Sequence, residues 1–136
     1  MIRPVRAYAP GEASGPALVL AEPLSFWGGI DAATGAIIDQ SHPDLGRNVA
    51  GSVLVMPAGR GSSSSSAVLA EAIRLGTAPL GILLARPDPI LTVGALIARF
   101  LYARACPIVV GAIEDIATGQ PVAIAASADQ AEIRLG

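Results

Sequence analysis

The sequence predicts an α/β fold, with short N-terminal strands followed by a parallel strand-helix-strand core. Three observations carry that expectation. Short apolar runs at Ser52–Val55, Gly81–Ala85 and Ile108–Val110 alternate with two longer segments of helical period. Glycine and proline punctuate the joints between them. Of 136 residues 52% are hydrophobic but only 4% are aromatic, so the core is built of Ala, Val, Leu and Ile, which suits parallel strands covered by helices. A chain of this length is read as one domain, residues 1–136, that buries a core without staples.

Taken in order, Met1–Pro16 is rich in Pro and Gly and reads as an irregular or edge segment. Ala17–Ala21 is a strand. Glu22–Asp31 is a loop, where Pro23 fixes a turn and Gly28-Gly29 permits positive φ or a close backbone approach. Gly35–Asp39 reads as a short strand and Ser41–Arg47 as a second polar loop. After strand Ser52–Val55, a helix is expected from about Ser63 to Leu75, because Val68, Leu69, Ala72 and Ile73 share one face. Gly76 stops it as a C′ glycine. Strand Gly81–Ala85 leads through the turn Arg86-Pro87-Asp88-Pro89 into a second helix, Pro89–Tyr102, with proline tolerated in its first turn. Ile108–Val110 is the third core strand, and Val122–Ala125 and Glu132–Leu135 are final strands.

Charge narrows the partners. The formal net charge is -2 with no basic cluster, so nucleic acid and an anionic membrane are poor candidates. The apolar runs fall far short of the ~18 residues of a membrane span, and Pro4 and Pro10 interrupt any signal-peptide core. A lone Cys106 excludes an internal disulfide, and the expected location is the cytoplasm. A mean hydropathy of +0.58 points instead to a face packed against another chain.

The stretch that carries chemistry is Met56–Ser66. A strand, then Gly59-Arg60-Gly61, then five consecutive serines at a helix start aim backbone N–H groups and a positive dipole end at one spot, where an anion fits. Capping explains one or two serines but not five, since serine is a middling helix former. Arg60 adds a permanent cation. The loop lacks the lysine and spacing of a nucleotide P-loop, and no Gly-x-Gly-x-x-Gly occurs. The one histidine, His42, lies in a different loop, so a Ser-His-Asp triad has no support. A serine serves as the acid–base group only where amides and a nearby cation stabilise its alkoxide.

Glu22-Pro23-Leu24-Ser25-Phe26-Trp27-Gly28-Gly29-Ile30-Asp31, Ile38-Asp39-Gln40-Ser41-His42-Pro43, Gly59–Ser66, Gly76-Thr77-Ala78-Pro79 and Pro87-Asp88-Pro89-Ile90, in this order, resemble the small swivel-domain subunit of the aconitase X family. The resemblance implies the swivelling β/β/α fold of the aconitase mobile domain. It also implies a large catalytic subunit that carries an iron–sulfur cluster and most contacts to a small carboxylate substrate. The implied activity is that of a hydro-lyase, with the serine of the glycine-basic-glycine-serine pattern as proton-abstracting base. That serine is Ser62. By the same resemblance Gly61, Ser63 and Ser64 supply donors to the substrate carboxylate and Arg60 lies close enough to favour ionised Ser62.

The family divides by substrate. The serine-rich loop and the Phe-Trp-Gly-Gly segment resemble the bacterial cis-3-hydroxy-L-proline dehydratases, and the alternative is the small subunit of a phosphomevalonate dehydratase. A rival of another class is a non-catalytic anion-binding or structural subunit. Simpler roles are expected elsewhere: turn or cap residues at Asp31, Asp39 and Asp88, a buried thiol at Cys106, a surface or interface residue at His42. Trp27 and Phe26 either plug their loop or meet the large subunit.

Overall fold

The structure, a computed structural model, describes residues 1–136. Its strands are β1 (Ile2–Pro4), β2 (Arg6–Ala9), β3 (Gly11–Val19), β4 (Val53–Met56), β5 (Gly81–Leu84), β6 (Ile108–Val110), β7 (Pro121–Ala126) and β8 (Ala131–Leu135). Its helices are α1 (Ser65–Leu75) and α2 (Pro89–Tyr102). The strands hydrogen-bond in the order β1-β8-β7-β3-β4-β5-β6-β2.

β3 belongs to two leaves. Its first six residues pair antiparallel with β7, from Gly11↔Ala126 to Pro16↔Pro121. Its last three pair parallel with β4, and β4, β5 and β6 continue in parallel. The changeover falls at Pro16-Ala17, where two prolines face each other and neither contributes a ladder N–H.

Two apolar clusters fill the layers. Val53, Val55, Leu83 and Val109 meet Val122, Ile124, Ile133 and Leu135 between the leaves. Leu54, Met56, Ile82, Leu84 and Ile108 point the other way, against Leu69, Ala72 and Ile73 of α1 and Leu91, Ala95 and Ala98 of α2. Each parallel strand therefore sends alternate side chains into two cores, and all four residues of β4 are buried. Burying one such Leu or Met contributes about 1.5–3 kcal/mol. The layers are sheet, sheet, helix: the β/β/α architecture that the resemblance implies.

The core elements fall where the sequence puts them, and Gly76, at φ 80, ends α1 with its N–H donating to the carbonyls of Ala72 and Ile73. Of the two readings of Met1–Pro16, irregular or edge, the edge one holds: the segment is strand almost throughout, with β1 and β2 at the two sheet edges, where Pro is tolerated. Gly35–Asp39 is not a strand; only single bridges, Ile30↔Ile37 and Ala36↔Asn48, hold that loop. No helix is long and apolar enough to cross a membrane.

Candidate functional site

Parallel strands bring their carboxyl ends to one edge, and three connections meet there. Leu20–Ile30 follows β3, Pro57–Ser64 follows β4, and Ala85–Asp88 follows β5. A parallel bridge, Leu24↔Gly59, stitches the first two together. Between them lies a hollow of about 170 Å³, with Leu24, Phe26, Ile90 and Leu91 as its apolar wall and Gly59, Arg60, Gly61, Ser62, Ser65 and Asp88 as its polar wall. Larger depressions of about 500 and 680 Å³ lie over the antiparallel leaf and its edge. These are open surface between alternating side chains, with no converging amides, and carry no comparable chemistry.

The five serines divide by role. Ser65 is buried, and its Oγ accepts the Trp27 amide at 3.0 Å. The Ser66 hydroxyl donates to the Ile90 carbonyl, tying the starts of the two helices together. Ser62 lines the hollow, half-buried, and its Oγ accepts the Ser64 amide at 3.1 Å. Ser63 and Ser64 are exposed, and no hydrogen bond inside the chain uses their hydroxyls. The amides of Gly61, Ser62 and Ser63 are likewise unused by the chain's own backbone, whereas Ser65 and Ser66 already donate to the carbonyls of Ser62 and Ser63. The result is a run of free amides and hydroxyls just ahead of α1. The helix itself begins at Ser65 rather than Ser63, so Ser62 stands before the first turn.

Glycine is required at two places here. Gly61 has φ +97, and a Cβ on it would sit 2.6 Å from Ser25 Oγ. A Cβ on Gly59 would sit 1.6 Å from Asp88 Oδ2. Asp88 itself caps α2: Oδ1 accepts the amides of Ile90 at 2.9 Å and Leu91 at 3.1 Å. Its other oxygen packs on Gly59, so one carboxylate braces the serine loop against α2. The sequence identifies Asp88 as a helix-start residue; the brace depends on a contact 29 positions away in the chain.

Arg60 is exposed at the rim, with Asp39 in its field. The Ser41 amide and hydroxyl, at 2.9 and 2.8 Å, hold the Asp39 carboxyl below its ordinary value, and Arg60 and His42 lower it further. Asp39 is a turn residue, and so is Asp31, whose Oδ1 accepts the Ala33 amide. His42 is neither exposed nor part of the hollow. It is buried, Nδ1 accepting the Asp44 amide at 3.0 Å and Nε2 facing the Glu22 carbonyl at 3.2 Å. With both nitrogens held by backbone it pins two loops together. Phe26 is the plug of its loop at 0% exposure, whereas Trp27 is 58% exposed.

An iron–sulfur cluster does not fit this chain's donors. The one cysteine, Cys106, is buried with its Sγ donating to the Pro79 carbonyl, and burial pushes its thiol up to about 12. Thiolate, not thiol, ligates iron. No three His, Cys, Asp or Glu side chains converge anywhere.

A β/β/α domain that presents a glycine-serine loop at the carboxyl edge of its parallel strands is a swivelling domain of the aconitase type. More narrowly, the family model for the aconitase X swivel domain matches residues 3–133, and this chain belongs to the aconitase X family. The crystal structure of Thermococcus kodakaraensis aconitase X in its holo-form superposes with a TM-score of 0.89 at 31% identity, covering 100% of this chain and 98% of that one. The cis-3-hydroxy-L-proline dehydratase of Pseudomonas aeruginosa is 47% identical over 103 residues, 76% of this chain but 18% of that protein. The phosphomevalonate dehydratase small subunit of Methanothermobacter thermautotrophicus is 38% identical over 130 residues, 95% of each. The chain thus spans under a fifth of the Pseudomonas dehydratase and 95% of the Methanothermobacter small subunit.

Proposed function

We propose that this chain is the small subunit of a two-subunit iron–sulfur hydro-lyase that dehydrates cis-3-hydroxy-L-proline, with Ser62 as the proton-abstracting base. The observation that carries the reading is the Ser62 hydroxyl on the wall of the hollow at the strand ends. Its oxygen already accepts an amide N–H from Ser64, and such a donor favours the ionised form. The positive end of α1 acts in the same direction, and so does the Arg60 charge, against the opposing charge of Asp88 on the same wall. Ionised Ser62 Oγ takes the proton from the carbon bearing the substrate carboxylate, and hydroxide departs from the neighbouring carbon. The enamine so formed tautomerises to 1-pyrroline-2-carboxylate. Gly61, Ser63 and Ser64, with free amides or hydroxyls, receive the carboxylate, and Arg60 at the rim complements it. The large subunit holds the cluster and most of the substrate, since this chain has neither the ligands nor a deep cavity.

Hydroxyproline is favoured because Arg60 is the single cation of the hollow, which suits a zwitterion better than a phosphate ester. The second reading, phosphomevalonate, rests on architecture: the Methanothermobacter small subunit of that name matches 95% of this chain and 95% of its own length. The complex with its large subunit, assayed against hydroxyproline isomers and phosphomevalonate, separates the two. The expected result is turnover of cis-3-hydroxy-L-proline that Ser62→Ala lowers by at least ~10²–10⁴-fold with assembly intact. Unchanged turnover in that variant removes the role given to Ser62.

A further inference from the structure

α2 is apolar on two opposite faces. Leu91, Ala95 and Ala98 face the core. The opposite face carries Val93, Leu96, Ile97, Phe100 and Leu101, spaced i, i+3, i+4, i+7 and i+8, and all are exposed, Phe100 by 87%. A surface helix ordinarily turns polar residues outward, and one that is hydrophobic all round is buried. Helix propensity does not demand this face, since Lys, Glu or Gln serves a solvent face equally well. The open apolar area is on the order of 500 Å², the upper end of what a monomer's surface carries.

Two features say what covers it. The first is continuity with the serine-loop hollow: Ile90 and Leu91, in the first turn of α2, form the hollow's apolar wall, and Val93 starts the stripe just beyond. A body that closes the hollow over Ser62 reaches the stripe as well. The second is charge. Arg99 flanks the stripe, and Arg86 and Arg104 stand past its two ends. The nearby carboxylates are engaged, Asp88 as the cap of α2 and Glu71 with Arg74. An apolar groove rimmed by carboxylates complements these three arginines.

We propose that the outer face of α2 is the surface through which this chain docks onto the large subunit. The proposal rests on the two-subunit reading above and adds the surface. The test uses the full chain with the large subunit from the same source, and measures affinity by titration. Phe100→Glu is expected to weaken association by more than about thirtyfold, as a central interface anchor does, without lowering the chain's own unfolding midpoint. Ile2→Glu, on the exposed β1 edge, is the control and is expected to associate as wild type. Wild-type affinity in Phe100→Glu overturns the assignment. So does a free-chain dimer that Phe100→Glu dissolves while large-subunit binding persists, which makes a second copy the occupant. Failure of wild-type chain to bind the large subunit overturns it too. The Ser62 reading stands or falls separately, on turnover by an assembled Ser62→Ala complex.

Discussion

The two leaves of the sheet are built from similar residues and do different work. In the antiparallel leaf, β7 alternates exposed and buried positions, and its connections are turns. In the parallel leaf, β4, β5 and β6 are buried on both faces and their carboxyl ends share one edge. Chain direction causes the difference. A parallel strand must return through a crossover, so the loops after β4 and β5 each end at a helix start, with free amides and a positive dipole end. The antiparallel leaf has larger depressions, yet none gathers donors. Strand direction, rather than the volume of a hollow, locates the candidate site.

Paired substitutions test that contrast. The largest effect is expected from Ser62→Ala set beside Ser14→Ala, a serine on the exposed side of β3: the first loses at least ~10²–10⁴-fold in turnover and the second none, by steady-state assay of the complex. Equal losses would abolish the distinction. Next comes Gly59→Ala, whose Cβ would overlap the Asp88 carboxylate; it should cost about 1–3 kcal/mol in denaturant unfolding and lower turnover as well. A substitution on the antiparallel leaf, Glu12→Ala, should stay within about 0.5 kcal/mol. Asp88→Ala should cost about 1 kcal/mol through the lost cap, with Asp88→Asn recovering most of the stability. If Asn also restores turnover, the brace acts by shape and not by charge.

Two titrations give smaller, sharper readouts. Asp39 is stabilised as the carboxylate, so its folded value lies below 3.8. Its contribution is present above the unfolded value and is lost as pH falls through the folded one. Carboxyl resonances followed through an acid titration should show Asp39 titrating below 3.8, and Ser41→Ala should move it up. Cys106 should resist alkylation in the folded chain at neutral pH and react on unfolding, because its thiol is buried and raised to about 12.

Much of this was legible residue by residue. Apolar runs of strand length, the 3.6 period of Val68-Leu69-Ala72-Ile73, Gly76 and the Pro-Asp-Pro turn each act within a few neighbours, so their outcome is written locally. The glycine-serine turn ahead of a helix was legible for the same reason. Other features were not. The Pro-rich Met1–Pro16 left irregular and edge structure both open; only the pairing shows that β1 lies at a sheet edge and that Pro16 faces Pro121, where the missing N–H groups break no needed ladder bond. Gly35–Asp39 has strand composition but finds only single-bridge partners. His42 has the residue type of a catalyst and the surroundings of a pin.

Sequence alone determined the α/β class, the two helices with their stops, and the glycine-serine loop that marks the family, because these depend on backbone preference and near neighbours. Tertiary structure decided that Ser62 and Ser65 line the hollow and that Ser65 and Ser66 are tied up in packing. It also decided that Asp88 braces Gly59, and that α2 presents an apolar face outward. Those facts depend on contacts between residues far apart in the chain, and no local preference encodes who the neighbour will be.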